Sequence, residues 1–122
     1  LIAGFTLGEP HVHQWLDDAI GLTGDWRKRG PVYAIPWRAL CGVRNRNLVT
    51  AGRCISADTT VWDVTRAIPA CAVTGTAAGT SAALAVKQGE GDLHALPVEK
   101  LQEHLRDQGM LIDAELLQPV ME

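Results

Sequence analysis

From Pro69 onward the chain carries no charge until Lys87, and the run from Ala70 to Val86 is far too long for a strand, so the pattern predicts a helix there. Along it Cys71, Gly75, Gly79 and Ala83 recur every fourth residue, a ridge of small side chains that lets a helix lie close to a sheet or a second backbone. Each internal glycine costs roughly 1 kcal/mol relative to alanine, which predicts that close packing offsets the cost. Val73, Ala77, Ala78, Ala82, Leu84 and Ala85 are also apolar or small, so burial is expected nearly all round. Gly79→Leu is then expected to overpack, at about 1–3 kcal/mol. Ahead of the helix, Asn47 to Ser56 opens with a short β-branched apolar run closed by Gly52, the pattern of a buried strand ending in a turn. Strand, glycine turn and helix N-terminus in succession are how α/β folds hold anionic or carbonyl-bearing cofactors.

Leu1 to Leu7 reads as a short strand ended by Gly8. From Pro10, the positions Val12, Trp15, Leu16, Ala19 and Ile20 fall at helical spacing and predict a helix. Gly21 to Gly30 reads as a loop in which Asp25, Arg27, Lys28 and Arg29 crowd around Trp26, either an exposed connection or a rim that meets substrate or a second domain. Val32 to Ile35 is a strand stopped by Pro36. Ala57 to Arg66 is a polar and aromatic loop, and Gly89 with Gly91 makes a flexible break. A second helix, amphipathic through Val98, Leu101 and Leu105, is expected from Pro97 to Gln108, ended by Gly109, with one further turn near Ala114–Leu117.

With 122 residues this is one domain or part of one, and a net charge of −3 gives no reason to expect nucleic acid or an anionic membrane as partner. The three cysteines form no Cys-x-x-Cys pair, which argues against a disulfide framework or zinc site and for reduced, buried thiols in a cytoplasmic setting. His11 and His13 would share a face only on a strand, so no metal site is expected. The apolar run is short, and threonine, serine and alanine outnumber large aliphatics, so no membrane span is expected. Gly75 to Ser81 lacks the lysine of a P-loop. The opening Leu-Ile-Ala-Gly reads as a cut inside a longer protein, and a helix apolar all round calls for covering material.

Three runs carry a resemblance: Tyr33-Ala34-Ile35-Pro36-Trp37-Arg38, then Asn47 through Ser56, then Ile68-Pro69-Ala70-Cys71-Ala72 with Gly75 and Ala77-Ala78-Gly79-Thr80. In this order and spacing the chain resembles the C-terminal section of FAD-dependent oxidoreductases, and more narrowly the flavoprotein subunits of fumarate reductase and succinate dehydrogenase. Gly4-Phe5-Thr6-Leu7 and Leu101 through Arg106 also fit, so the resemblance covers most of the chain. It implies an α/β fold that is a partial Rossmann-like FAD-binding domain. Residues 1–40 would return from an inserted substrate domain, 41–91 would supply the last strand and the flavin-facing helix, and 92–122 would form a C-terminal helical segment.

The implied chemistry is hydride transfer at FAD, with the remainder of the parent flavoprotein and a small-molecule substrate as partners. The cofactor-side residues would be Gly52, Arg53 and the amides of Ala67, Ile68 and Ala70; Pro69 has no N–H to give. Arg66 and Arg38 would be the catalytic pair, binding a substrate carboxylate or compensating flavin charge, with a structural ion pair (Arg66 to Asp63) as the other reading of each. At Arg53 many relatives have an acidic residue that holds the ribitol, so Arg53 meets a phosphate or shapes the turn instead. Thr74-Gly75-Thr76 stands where relatives often have Gly-Gln, which reads as packing. The chain has no Gly-x-Gly-x-x-Gly, so the ADP half of the cofactor has no site in it, and the chain alone is expected to be inactive and to bind FAD weakly. Two other readings stand beside this one: a free-standing small-ligand module, and a dimerisation module forming a homo-oligomer through the apolar helix.

Overall fold

A computed structural model describes residues 1–88 and 90–119, so Gly89 of the expected flexible break and the end of the tail lie outside the described residues. The fold is mixed α/β. Its sheet is an antiparallel hairpin of β1 (Ala19–Gly24) and β2 (Val32–Pro36), with Leu22 opposite Ala34 and a bulge between Ala19 and Gly21. Three helices follow: α1 (Thr59–Thr65), α2 (Ile68–Gln88) and α3 (Val98–Asp107). Both α2 and α3 pack on β1 and on each other. Leu7, Ile20, Ile35, Leu40, Val61, Val64, Leu101 and Leu105 fill the core, all without solvent contact.

Gly21 fixes how closely the layers meet. A Cβ there would overlap Val73 Cγ1 and stand 3.3 Å from Met110 Sδ, so α2 rests on β1 across a position only hydrogen fits. Close approach therefore occurs, but the glycine that permits it is on the strand. On α2 the buried face is Ala70, Thr74, Ala77, Ser81, Leu84 and Ala85. Gly75, Gly79 and Ala83 face solvent, as do Ile68 at 85% exposure and Val86 at 72%. The expectation of all-round burial is thus corrected within this chain: one face is covered and the small-residue ridge is not.

A Cβ at Gly75 or Gly79 meets nothing within 4 Å. The expected outcome for Gly79→Ala is therefore a stability gain of up to about 1 kcal/mol from helix propensity, and Gly79→Leu should also raise the melting temperature slightly. This reverses the overpacking expectation; a fall of several degrees on either change would show the ridge to be covered.

Five local readings also differ, the first being that Gly21 to Gly24, expected to be loop, belongs to β1 because it pairs with residues 32–35. The helix expected from Pro10 is a single 3-10 turn at Glu9–His11, closed by Gly8 N–H donating to His11 Nδ1 at 2.9 Å. His13 then turns the chain with φ 59, and Ala19 and Ile20 start β1. Leu1 to Leu7 makes two isolated bridges, Ala3 with Gly42 and Leu7 with Ala57, because no continuous strand lies beside it. Asn47 to Ser56 likewise bridges once, Val49 with Cys41, and ends in a 3-10 turn at Gly52–Cys54. Conversely, the expected loop at 57–66 contains α1, started by Asp58 Oδ1 accepting from Val61 N–H at 2.8 Å and anchored by buried Val61 and Val64. The helices at 68–88 and 98–107, the strand at 32–36 and the turn at Ala114–Leu117 form where the sequence places them, with Gly109 at φ 91 ending α3.

Candidate functional site

The turn at Gly52 is built around a left-handed residue: φ is +64, and a side chain there would approach Cys71 Sγ at 3.6 Å. Its N–H donates to Thr74 Oγ1 at 2.9 Å, while the same hydroxyl donates to Cys71 O at 3.2 Å. Thr74 is fully buried, so this residue ties the turn to the second turn of α2. The Thr74-Gly75-Thr76 segment is therefore more than packing. Arg53 is exposed, and its backbone carbonyl accepts from Trp62 Nε1 at 3.3 Å.

At the head of α2, Ala67 N–H donates to Val64 O at 3.3 Å and Cys71 N–H to Ala67 O at 2.9 Å. Pro69 has no donor. The amides of Ile68 and Ala70 are left without an acceptor among the described residues, the usual orphan donors of a first turn. Of the three amides named from sequence, Ala67 is thus already committed and two are open. Beside them lies a cleft of about 350 Å³, with Leu22, Thr23, Gly24, Asp25 and Trp26 from β1 and the following loop on one wall and Ala67, Pro69, Ala70 and Val73 on the other.

Arg66 closes α1 and is held in place. Its Nε donates to Asp63 Oδ1 at 2.7 Å, and its guanidinium lies 5.9 Å from the Trp26 ring and 5.6 Å from the Trp62 ring. Asp63 Oδ2 also meets Arg27 Nη1 at 3.5 Å, and Arg27 forks onto Asp25 with two bonds of 2.9 Å. The hydrogen bond from Arg27 holds the buried Asp25 carboxyl below the usual carboxylate value, against the opposing effect of burial. The structural ion pair between Arg66 and Asp63 is therefore present. Removing it should be mild, because both side chains are about one third exposed. Arg66→Ala is expected to cost about 1–2 kcal/mol, from one partly exposed pair and two cation–π contacts. Thermal melting checks this.

Arg38 stands elsewhere. Its Nε and Nη2 donate to the two oxygens of Asp18 at 2.9 and 3.1 Å, its backbone N–H adds a bond of 2.9 Å, and its guanidinium covers the Phe5 ring at 4.8 Å. It borders a second cleft of about 390 Å³ with Trp37, Cys41, Gly42, Val43 and His94. Arg66 lines neither this cleft nor the one at α2, so the structure does not bring Arg38 and Arg66 to one ligand. All three cysteines are free, though only Cys41 is buried, which pushes its thiol up to about 12; Cys71 is half-buried, and Cys54 is exposed, contrary to expectation. Among the described residues no cluster of His, Cys, Asp or Glu could hold a metal ion.

Sequence reasoning read Thr74 as packing, placed Trp26 on a loop or rim without its partner, and missed Asp18. Their partners stand 22, 37 and 20 residues away, beyond any local periodicity. Asp63 was named as the structural partner of Arg66, since a carboxylate three residues before an arginine is a readable pair.

No curated protein and no solved structure matches the chain. The family model described as FAD dependent oxidoreductase does, over residues 12–105, a span that includes both walls of the α2 cleft, the Gly52 turn and most of α3. The chain belongs to the FAD-dependent oxidoreductase family, and FAD is the cofactor of the protein it forms.

Proposed function

We propose that this chain forms the flavin-facing wall of a cytoplasmic, fumarate reductase-like oxidoreductase and is the C-terminal section of its Rossmann-like FAD domain. The observation that carries the reading is the first turn of α2, where the Ile68 and Ala70 amides are unpaired and Ala67, Pro69 and Ala70 line a cleft, inside the region that matches the family. FAD, when bound, supplies the hydride chemistry. The chain's part is electrostatic: two N–H groups at the positive end of a 21-residue helix favour a carbonyl edge that gains negative charge. These residues fit the ring end of the cofactor. They do not fit its ADP end, because the glycine-rich phosphate turn is absent from the sequence. In this reading another part of the protein supplies it and also covers the outer face of α2.

Gly52 and Thr74 set the distance between that turn and the helix, and Arg53 lies exposed beside it. Arg66 and Arg38 are the candidate cations of the proposal at two separate places, and each would share its carboxylate partner with a small anionic group. A second reading, self-association through α2, is favoured by the uncovered stripe of Ile68, Gly75, Gly79 and Val86.

Titrating FAD into the chain while following flavin fluorescence tests the main reading. Binding weaker than micromolar is expected, because one wall of the ring site without the phosphate turn forgoes most cofactor contacts. Submicromolar affinity would show a complete cofactor site and overturn the single-wall reading.

A further inference from the structure

Among the described residues, Trp26 is the only aromatic side chain lining the α2 cleft, and it is held at both its N–H and its ring. It is 60% exposed, yet its indole N–H donates to Asp63 O at 2.8 Å and its ring faces the Arg66 guanidinium at 5.9 Å. The residues on either side, Asp25 and Arg27, are locked to each other by two 2.9 Å bonds. Nearly all of this hardware converges on one side chain that contributes little to the core. Holding an aromatic group in place before binding removes much of the ordering cost of a ligand contact. The facing wall is Ala67, Pro69 and Ala70, which are short and flat, and the volume of about 350 Å³ is at the small end of ligand sites. An indole on one side, a flat apolar wall on the other and the unpaired Ala70 amide on that wall suit a planar heteroaromatic ring with a carbonyl edge.

We propose that Trp26 is the stacking wall for the flavin ring, its indole held in place by the bond to Asp63 O. The inference rests on the flavin reading above. The ¹⁵N-labelled chain titrated with lumiflavin, which has the ring without ribitol or ADP, separates the two. The indole N–H of Trp26 and the amides from Ala67 to Val73 should shift together, and Trp26→Ala should weaken the binding by about three- to tenfold. Trp26→Phe should keep most of the affinity, and Trp15→Phe, away from the cleft, should keep all of it. Shifts in the amides with a silent Trp26 indole and unchanged affinity in Trp26→Ala would overturn the stacking role and leave the flavin reading standing. If neither indole nor amides respond, the flavin reading of this cleft fails and Trp26 falls with it. Because Trp26 is largely exposed, the Trp26→Ala spectrum should otherwise match the parent, which certifies that the fold is intact.

Discussion

Leu101→Ala should be the most damaging simple truncation tested, costing about 2–5 kcal/mol. Leu101 has no solvent exposure, and it lies on α3, a helix that packs against both α2 and β1. Removing its isobutyl group loses the transfer free energy and leaves a cavity, because the surrounding frame cannot collapse freely. Gln102, the next residue, is buried and donates through Nε2 to both Asp17 O and Ala19 O at 2.9 Å, which pins α3 to the start of β1. A domain of this size is stable by only about 5–15 kcal/mol, so the loss is a large fraction of the total. The midpoint in urea should fall sharply, with a melting temperature lower by roughly ten degrees or more. Leu111→Ala is the control: Leu111 is 66% exposed, and its truncation should stay within about 0.5 kcal/mol. Equal effects of the two would mean that α3 is not the buttress of α2.

That contrast shows why part of the fold was legible. Val98, Leu101 and Leu105 share one face by local spacing alone, and the uncharged run to Val86 excludes a strand by length. Neither inference needs a distant partner. The hairpin did. Val12, Trp15, Leu16, Ala19 and Ile20 fit a helix by spacing, yet the chain turns at His13 with φ 59, and Ala19 and Ile20 enter a strand paired with residues 32–36. Pairing with a sequence neighbour across the loop outweighed the local period. The run from Leu48 to Ala51 has strand composition and lacks a strand to pair with, so Thr50 sends its N–H and its hydroxyl to the single carbonyl of Leu40, at 2.9 and 3.1 Å. By contrast α1 was readable and overlooked: Asp58 before Thr59, with Val61 and Val64 three apart, is a cap followed by a short apolar face.

At the candidate site, the backbone features read from the sequence have the expected geometry more often than the side chains do. Gly52 needed its left-handed turn and has it, and the α2 amides fall where a prolyl first turn puts them. The arginines divided differently, because a guanidinium is specified by whatever carboxylate the fold brings to it. Asp63 reaches Arg66 within one helical turn, whereas Asp18 reaches Arg38 only once the hairpin has formed. The outer face of α2 was misread for a related reason. Composition says that small apolar residues want cover, but not whether this stretch of chain supplies it.

Thr74→Val should separate the Gly52 turn from α2 while leaving the shape of the core almost unchanged. Valine replaces the hydroxyl with a methyl of similar volume, so packing is conserved to first order. What is lost is the acceptor for Gly52 N–H, a 2.9 Å bond in a half-buried turn, and the donor to Cys71 O. The Cys71 carbonyl lies within α2 and tolerates the loss. The Gly52 amide has no other acceptor among the described residues, and leaving such a donor unpaired costs about 1–3 kcal/mol. Thr74→Ser keeps the hydroxyl, so it should recover most of the difference. It will not recover all of it, since the lost methyl leaves a small void. Hydrogen exchange adds the local readout: the Gly52 amide should exchange far faster in the valine variant and near the parent rate in the serine variant. Amides along α3 should change only by the global stability difference. If Gly52 exchanges alike in all three proteins, the turn is not held by Thr74, and the link from the Gly52 turn to the helix that carries the cleft is lost.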